Sequence, residues 1–569
     1  MKGLAAIDWL VIAAYLVGVT VIGFWSARRV QSATSFFITD RKFGTWFMMF
    51  LGLGSGTHAD QAATVASKTF LVGVSGIWYQ WIYLFLSPFY WLTMALVRRM
   101  RAVTVSDFFE QRYSHGVSLL YAALGILQLI VAIALMLRTT GAMVEAVSSG
   151  QIGFSVAIAV MTVLFVAYGV AGGLTSSVYT DVIQGTLTVV LSFLIFPFAL
   201  VKLGGMAGLR QTIDDPAMFM MVTPGEITTF YIVVVAFNAF IGALTQPSCM
   251  LMGAGKTEFQ VRLGALSGGV VKRICTIAWT LTGICAMAMY AGQEINVDQV
   301  YGLMARDLLP DVLPGLLGLF IASILASMMG ACNALMVSSS ALCVENVYRP
   351  FLVKNGSDYH YKTAGRVASV LVVVASVLFA YKMESILTGL EVFWKTAAMM
   401  GVALWVGMFW RRATAAGALA GTLAGTVVWL FTEPLFAGYG WDFNAHFARY
   451  LPSFMVLESK LSLPWQMLLY LGVSFLVLVV VSLFTKQTDP QRLDRFYACL
   501  RTPVSADEPE TTPFRLPLGV EPAPRRVLIP HRDFEVPIPS AVSVIGFTGV
   551  SLLVVLLIVL AKWIFSLGQ

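Results

Sequence analysis

Charge is scarce in this sequence. Aspartate, glutamate, lysine and arginine make up 12% of its 569 residues, against about a quarter in an ordinary soluble domain. Histidine is scarcer still, at 5 residues, and no nucleophile–base set stands out, which argues against an enzyme. Cys249, Cys275, Cys285, Cys332, Cys343 and Cys499 fall mostly inside apolar segments. They show neither metal-site spacing nor a secreted disulfide framework, so they read as buried thiols. No Walker motif is found, which argues against ATP-driven transport within this chain. The net charge of +7 does not point to nucleic acid, because lysine and arginine gather in short loops between apolar segments.

What is abundant is hydrophobic sequence, 58% of the chain. A membrane-crossing helix needs about 20 mostly apolar residues. Fourteen such spans can be traced, at 8–27, 45–71, 76–98, 117–147, 152–173, 177–203, 227–252, 264–291, 313–349, 361–382, 385–410, 413–432, 464–485 and 538–566. The expected class is therefore an all-α polytopic membrane protein. The first apolar run is too long for a signal peptide and is followed by Arg28 and Arg29, so it reads as a first span with its N-terminus outside. Arg98, Arg99 and Arg101, then Lys256 and Arg262, then Arg349, Lys354, Lys362 and Arg366, then Arg411 and Arg412 recur in alternate loops, which keeps the count in phase. This predicts a multi-pass protein of the cell (inner) membrane, in contact with bilayer lipid.

One polar stretch interrupts the pattern. Residues 486–537 are rich in proline and charge. They read as a cytoplasmic linker with little structure of its own, a tether to the last helix; docking of a cytoplasmic partner there is the alternative.

Within the second span, LGLGSGTHADQAATVASKTF (51–70) places Gly52, Gly54 and Gly56 beside Thr57, His58, Asp60 and Gln61. Glycines alone serve close helix packing. Ionisable groups at membrane depth are costly and mark function. Unwound backbone at that depth is tolerated where protein or a water-filled cavity surrounds it. Five spans later the seventh segment carries Asn238, Gly242, Thr245, Gln246 and Pro247 at mid-span. Two interrupted helices at matching positions predict two five-helix repeats, 45–203 and 227–410. The remainder would be a first helix and loop (1–44), two added helices (413–485), the linker and a last helix (538–569).

The chain resembles the sodium:solute symporter family, which includes sodium/galactose, sodium/proline and sodium/sialic acid transporters. The resemblance rests on YGVAGGLTSSVYTDVIQG (168–185), GMFWRRATAAGALAGTLAG (407–425) and SSSALCVENVYRPF (338–351), and covers roughly residues 1–485. It departs at Gly169, where a small hydroxyl or alanine is usual. The resemblance implies a LeuT-type 5+5 inverted repeat and secondary active transport of a small-molecule solute by alternating access, with no organic cofactor. It implies substrate contacts for Gln61, Gln80, Asn238 and Lys272, and a cation-coupling role for Asp181.

In the family's sodium site, freed carbonyls of the first broken helix join two adjacent hydroxyl residues of the ninth span. Those two positions fall here on Gly330 and Ala331, which carry no side-chain oxygen. Carbonyls of Gly54 and Thr57, with Ser327, remain as candidate Na⁺ ligands. Ser338, Ser339 and Ser340 lie about two turns further along, out of register. Beside the altered site stand His58 and Asp60, which either exchange protons, giving an H⁺-coupled or uncoupled transporter, or hydrogen-bond across helices.

Arg138 lies mid-span and either holds a substrate carboxylate or pairs internally, with Asp60 or Glu145. With Lys272 and Lys395 it makes three intramembrane cations, which lean toward an anionic substrate unless they are neutralised internally. Gln246 completes the candidate substrate set. Trp78, Tyr79, Trp81, Tyr83 and Tyr90 crowd the third span, either for stacking on a sugar ring or for packing and interface anchoring. Besides a symporter of a sugar, amino acid or carboxylate, the readings left open are a transporter-like sensor and a channel or uniporter.

Overall fold

The computed structural model describes residues 3–27, 44–102, 104–247, 249, 253, 255–433, 443–457, 460–506, 508 and 512–568, with backbone alone at 23, 24, 55, 168 and 171–182. The main helices are α1 (Ala6–Ala27), α2 (Thr45–Gly56), α3 (Ala59–Val72), α4 (Ser87–Arg99), α5 (Val105–Arg112), α6 (His115–Val147), α7 (Phe154–Leu194), α8 (Thr229–Gly242) and α9 (Glu258–Met289). They continue as α10 (Leu316–Ala341), α11 (Asp358–Lys382), α12 (Ile386–Ala398), α13 (Gly401–Phe409), α14 (Ala415–Thr432), α15 (Leu463–Phe484), α16 (Pro490–Arg501) and α17 (Ala541–Ser566). Among the described residues, 10 helical stretches are long and apolar enough to cross a membrane, and shorter apolar helices accompany them. Their outer faces are bare hydrocarbon: Val17 is 64% exposed, Leu371 64% and Ile545 72%. Such a surface is stable against lipid rather than water.

The expected fifth and sixth spans share the helical segment α7. Gln151, just before it, meets Leu4 at the start of α1. Val163 and Leu164 pack farther along α1, beside Thr20 and Val21, yet Gln184 is back beside Tyr15. The chain therefore doubles back between Leu164 and Gln184.

The second span is broken as its composition predicts. α2 stops at Gly56, Thr57 (φ −130°) and His58 (φ −134°) are extended, and α3 restarts at Ala59. Close packing holds the broken pair. A Cβ on Gly52 would lie 2.1 Å from the Gly264 carbonyl oxygen, and one on Gly268 would lie 2.1 Å from the Gly52 carbonyl oxygen. The Gly-x-x-x-Gly spacing of 264 and 268 thus lets α9 touch α2 backbone to backbone. Gly417, Gly421 and Gly425 do the same for α14 against Ser482, Leu478 and Ser474 of α15.

Residues 486–537 are not a loose tether. α16 buries Leu493, Phe496, Tyr497, Cys499 and Leu500. Phe496 stacks on Phe514 at 4.7 Å and meets the ring of Phe108 edge-on. Arg112 of α5 donates to the carbonyls of Gly407 and Trp410, both at 2.8 Å, and Tyr497 shares the Gly407 carbonyl. Arg101 pairs with Glu508. The carboxylate of Glu535 gathers Arg411 at 2.8 Å, Arg525 at 3.1 Å and Arg501 at 3.6 Å. The composition looked disordered because its apolar residues are few; they suffice because they fill a site made by other helix ends.

Glu535→Ala would leave three guanidinium groups facing one another. Cleavage between 502 and 540 under limited proteolysis is expected to speed by about tenfold or more. A wild-type cleavage rate in this variant would show that the segment is held by other contacts.

Candidate functional site

A cavity of about 220 Å³ opens at the break between α2 and α3. The break supplies Gly56, His58, Asp60 and Gln61; the segment before α4 supplies Gln80 and Tyr83; α6 supplies Gln128; the turn after α8 supplies Gln246; α9 supplies Lys272 and Arg273; and α12 supplies Trp394.

The two half-helices end in different ways. The last carbonyls of α2 lack intrahelical partners, as at any helix C-terminus. Across the break, His58 and Gln61 form a capping box at the start of α3. The Gln61 amide nitrogen lies 3.2 Å from His58 Nδ1 and donates to the Gly56 carbonyl at 3.4 Å, so one side chain bridges both ends. The Ala59 amide donates to Ser327 Oγ of α10 at 2.9 Å. His58 Nδ1 stands 3.5 Å from Asp60 Oδ1. Arg273 donates to the Gln80 carbonyl at 2.8 Å, and its guanidinium and the Lys272 ammonium each lie 5.8 Å from the centre of the Tyr83 ring.

Three polar atoms of lining residues are buried without a hydrogen-bond partner among the described residues: Gln80 Oε1, Gln128 Nε2 and Arg273 Nε. Buried polar atoms are nearly always hydrogen-bonded. Polar side chains from several helices thus converge on one cavity.

A family model described as Sodium:solute symporter family matches residues 36–425. The chain belongs to that family. It is 21% identical to the sodium/glucose cotransporter of Vibrio parahaemolyticus over 475 residues, which spans 76% of this chain and 86% of that one. It is 24% identical to the sodium/pantothenate symporter of Escherichia coli (strain K12), over 74% of this chain and 89% of that one. Among solved structures, the substrate-bound outward-open state of a Na⁺-coupled sialic acid symporter superposes with a TM-score of 0.71 at 17% identity, covering 85% of this chain and 99% of the other. The family consists of membrane transporters rather than enzymes, and the fold is that of the sialic acid symporter.

The structure brings Gln61, Gln80, Gln246, Lys272, His58 and Asp60 together at the cavity. It places two other candidates elsewhere. Asn238 is fully buried, donates to the Trp394 carbonyl at 3.2 Å and accepts from Tyr470, so it ties α8 to α12 and α15. Arg138 pairs with Asp298 at 3.4 Å and donates to the Glu384 carbonyl at 2.6 Å. Neither Asp60 nor Glu145 is its partner in those contacts; Glu145 accepts from the Phe154 amide. Lys395 is neutralised by Glu433 at 2.6 Å. Asp181 lies within α7, but its side chain falls outside the described residues.

Ser327 is at the break, and Gly330 and Ala331 are buried on the same helix. Gly169 also finds its reason: a Cβ there would sit 2.1 Å from Asn333 Oδ1. Of the aromatic cluster, Tyr83 and Tyr90 line the cavity, whereas Trp78, Tyr79 and Trp81 bond to Met221, Glu391 and Arg273.

Sequence reasoning passed over Arg273 and Gln128. Each is a polar group deep in an apolar run, in VVKRICT and LGILQLIV, and that rarity was the available signal.

Proposed function

We propose that this chain is a cation-coupled symporter that carries a small organic solute by alternating access through the cavity at the Thr57–His58 break. The observation that carries this reading is the interrupted helix opening onto a pocket ringed by unpartnered polar atoms. On this reading the chain crosses the membrane fourteen times with its N-terminus outside. Spans two to six and seven to eleven form the inverted repeats. Gln61, Gln80, Gln246 and Lys272 contact the solute.

Sodium is the coupling ion that family membership favours, with Asp181 assisting. Its ligands here would be the carbonyls of Gly54 and Thr57 with Ser327, since Gly330 and Ala331 add no side-chain oxygen. That loss supports a second reading, proton coupling or none, in which His58 and Asp60, 3.5 Å apart, exchange the proton.

The test is uptake by proteoliposomes of a panel of sugars, amino acids and carboxylates under an imposed Na⁺ or H⁺ gradient. Uptake driven by Na⁺ and lost in Gln61→Ala is expected. Uptake driven by H⁺ alone and abolished in Asp60→Asn would favour the second reading. Conductive flux with no counterflow would replace both with a channel.

A further inference from the structure

Several of the cations buried among the described residues are matched by a carboxylate. Arg138 has Asp298 and Lys395 has Glu433. At the cavity, Lys272 and Arg273 stand side by side on α9, and Asp60 is the one carboxylate among the described lining residues. Lys272 Nζ makes no hydrogen bond or ion pair among the described residues and lies 5.8 Å from the centre of the Tyr83 ring. Arg273 is 3% exposed and spends a single donor, on the Gln80 carbonyl, while its Nε is buried and unpartnered. Among the described lining residues two basic side chains face one carboxylate in a low-dielectric pocket, and basic groups so placed are retained where a counter-charge arrives.

The remaining orphans narrow the chemistry. Gln128 Nε2 and Arg273 Nε are donors, as a carboxylate requires; Gln80 Oε1 is an unpartnered acceptor, and the Asp60 carboxylate, with His58 Nδ1 at 3.5 Å from one oxygen, keeps acceptor capacity for a donor from the solute. We infer that the solute is a small organic monoanion carrying hydroxyl groups: a hydroxylated carboxylate whose acid group meets Lys272 and Arg273 and whose hydroxyls meet Gln80 and Asp60. This rests on the cavity being the solute site. Its size, about 220 Å³, suits a solute of this class.

The test uses the full-length protein and matched pairs of probes that differ in charge: gluconate with sorbitol, glycerate with glycerol, and lactate with lactamide. Binding is read by the shift in thermal unfolding of the purified protein, and transport by counterflow in proteoliposomes. At least one carboxylate is expected to bind about tenfold or more tightly than its uncharged partner. Lys272→Gln and Arg273→Gln are expected to erase that preference, and Lys272→Arg to keep it. The Lys272→Arg variant separates loss of charge from loss of folding. No carboxylate preferred over its uncharged partner in any of the three pairs overturns the inference. Carboxylate-selective binding without counterflow would leave the inference standing and sink the transporter reading. Counterflow of an uncharged solute alone would do the reverse.

Discussion

A Gly268→Leu variant is expected to yield no monodisperse, transport-competent protein, whereas Gly269→Ala, one residue away, is expected to fold. A Cβ at 268 would lie 2.1 Å from the Gly52 oxygen, 2.3 Å from the Gly52 carbonyl carbon and 2.8 Å from the Leu53 nitrogen. These are backbone atoms, so no change of rotamer relieves the overlap and the helices must part. Overpacking typically costs about 1 to 3 kcal/mol, and a clash with backbone belongs at the upper end of that range. Gly52 and Gly56 on one side, and Gly268, Lys272 and Arg273 on the other, line the same cavity. Separating α2 from α9 therefore widens the site as well as weakening the bundle. Gly269 meets nothing within 4 Å, which makes it the control. Size-exclusion profiles of both variants in one detergent check the prediction; equal, sharp peaks would mean that the contact between the glycines is not essential.

The break that this contact supports was legible in the sequence. Three glycines in five residues, followed by a histidine, an aspartate and a glutamine, have no reason to lie in a plain lipid-facing helix. Apolar length was equally legible, because a spanning helix announces itself one residue at a time. What sequence could not supply was pairing. Arg138, Lys272 and Lys395 are alike as isolated cations in apolar runs. Whether each is spent on a neighbour depends on Asp298 and Glu433, 160 and 38 residues away. The family resemblance implied a substrate contact for Asn238, yet its side chain points between helices, because Tyr470 and the Trp394 carbonyl take its amide. The segment 486–537 failed for a related reason. Its order comes from Phe108, Arg101 and Arg411, none of which belongs to it. Composition measures what a segment can bury by itself, not the surface that other helices hold ready for it.

Glu433→Ala is expected to be among the most destabilising single changes outside the cavity. One oxygen of Glu433 accepts from Lys395 Nζ at 2.6 Å, Trp429 Nε1 at 3.1 Å and Gln466 Nε2 at 3.1 Å. Lys395 is 3% exposed and Glu433 7%. Removing the carboxylate strands an ammonium and two polar hydrogens between α12, α14 and α15. Leaving one partner of a buried ion pair uncompensated costs about 3 to 5 kcal/mol. Lys395→Met is expected to cost less, because Glu433 would keep two donors. The double variant, Lys395→Met with Glu433→Ala, is expected to regain stability relative to Glu433→Ala alone. Thermal unfolding of the three variants in one detergent checks this. If the double variant is no more stable than Glu433→Ala, the stranded charge is not the source of the loss. The same variants bear on the solute: a lysine already neutralised has no charge to offer it. Lys395→Met should therefore preserve any preference for a carboxylate, while Lys272→Gln, at a cation without such a partner, should abolish it.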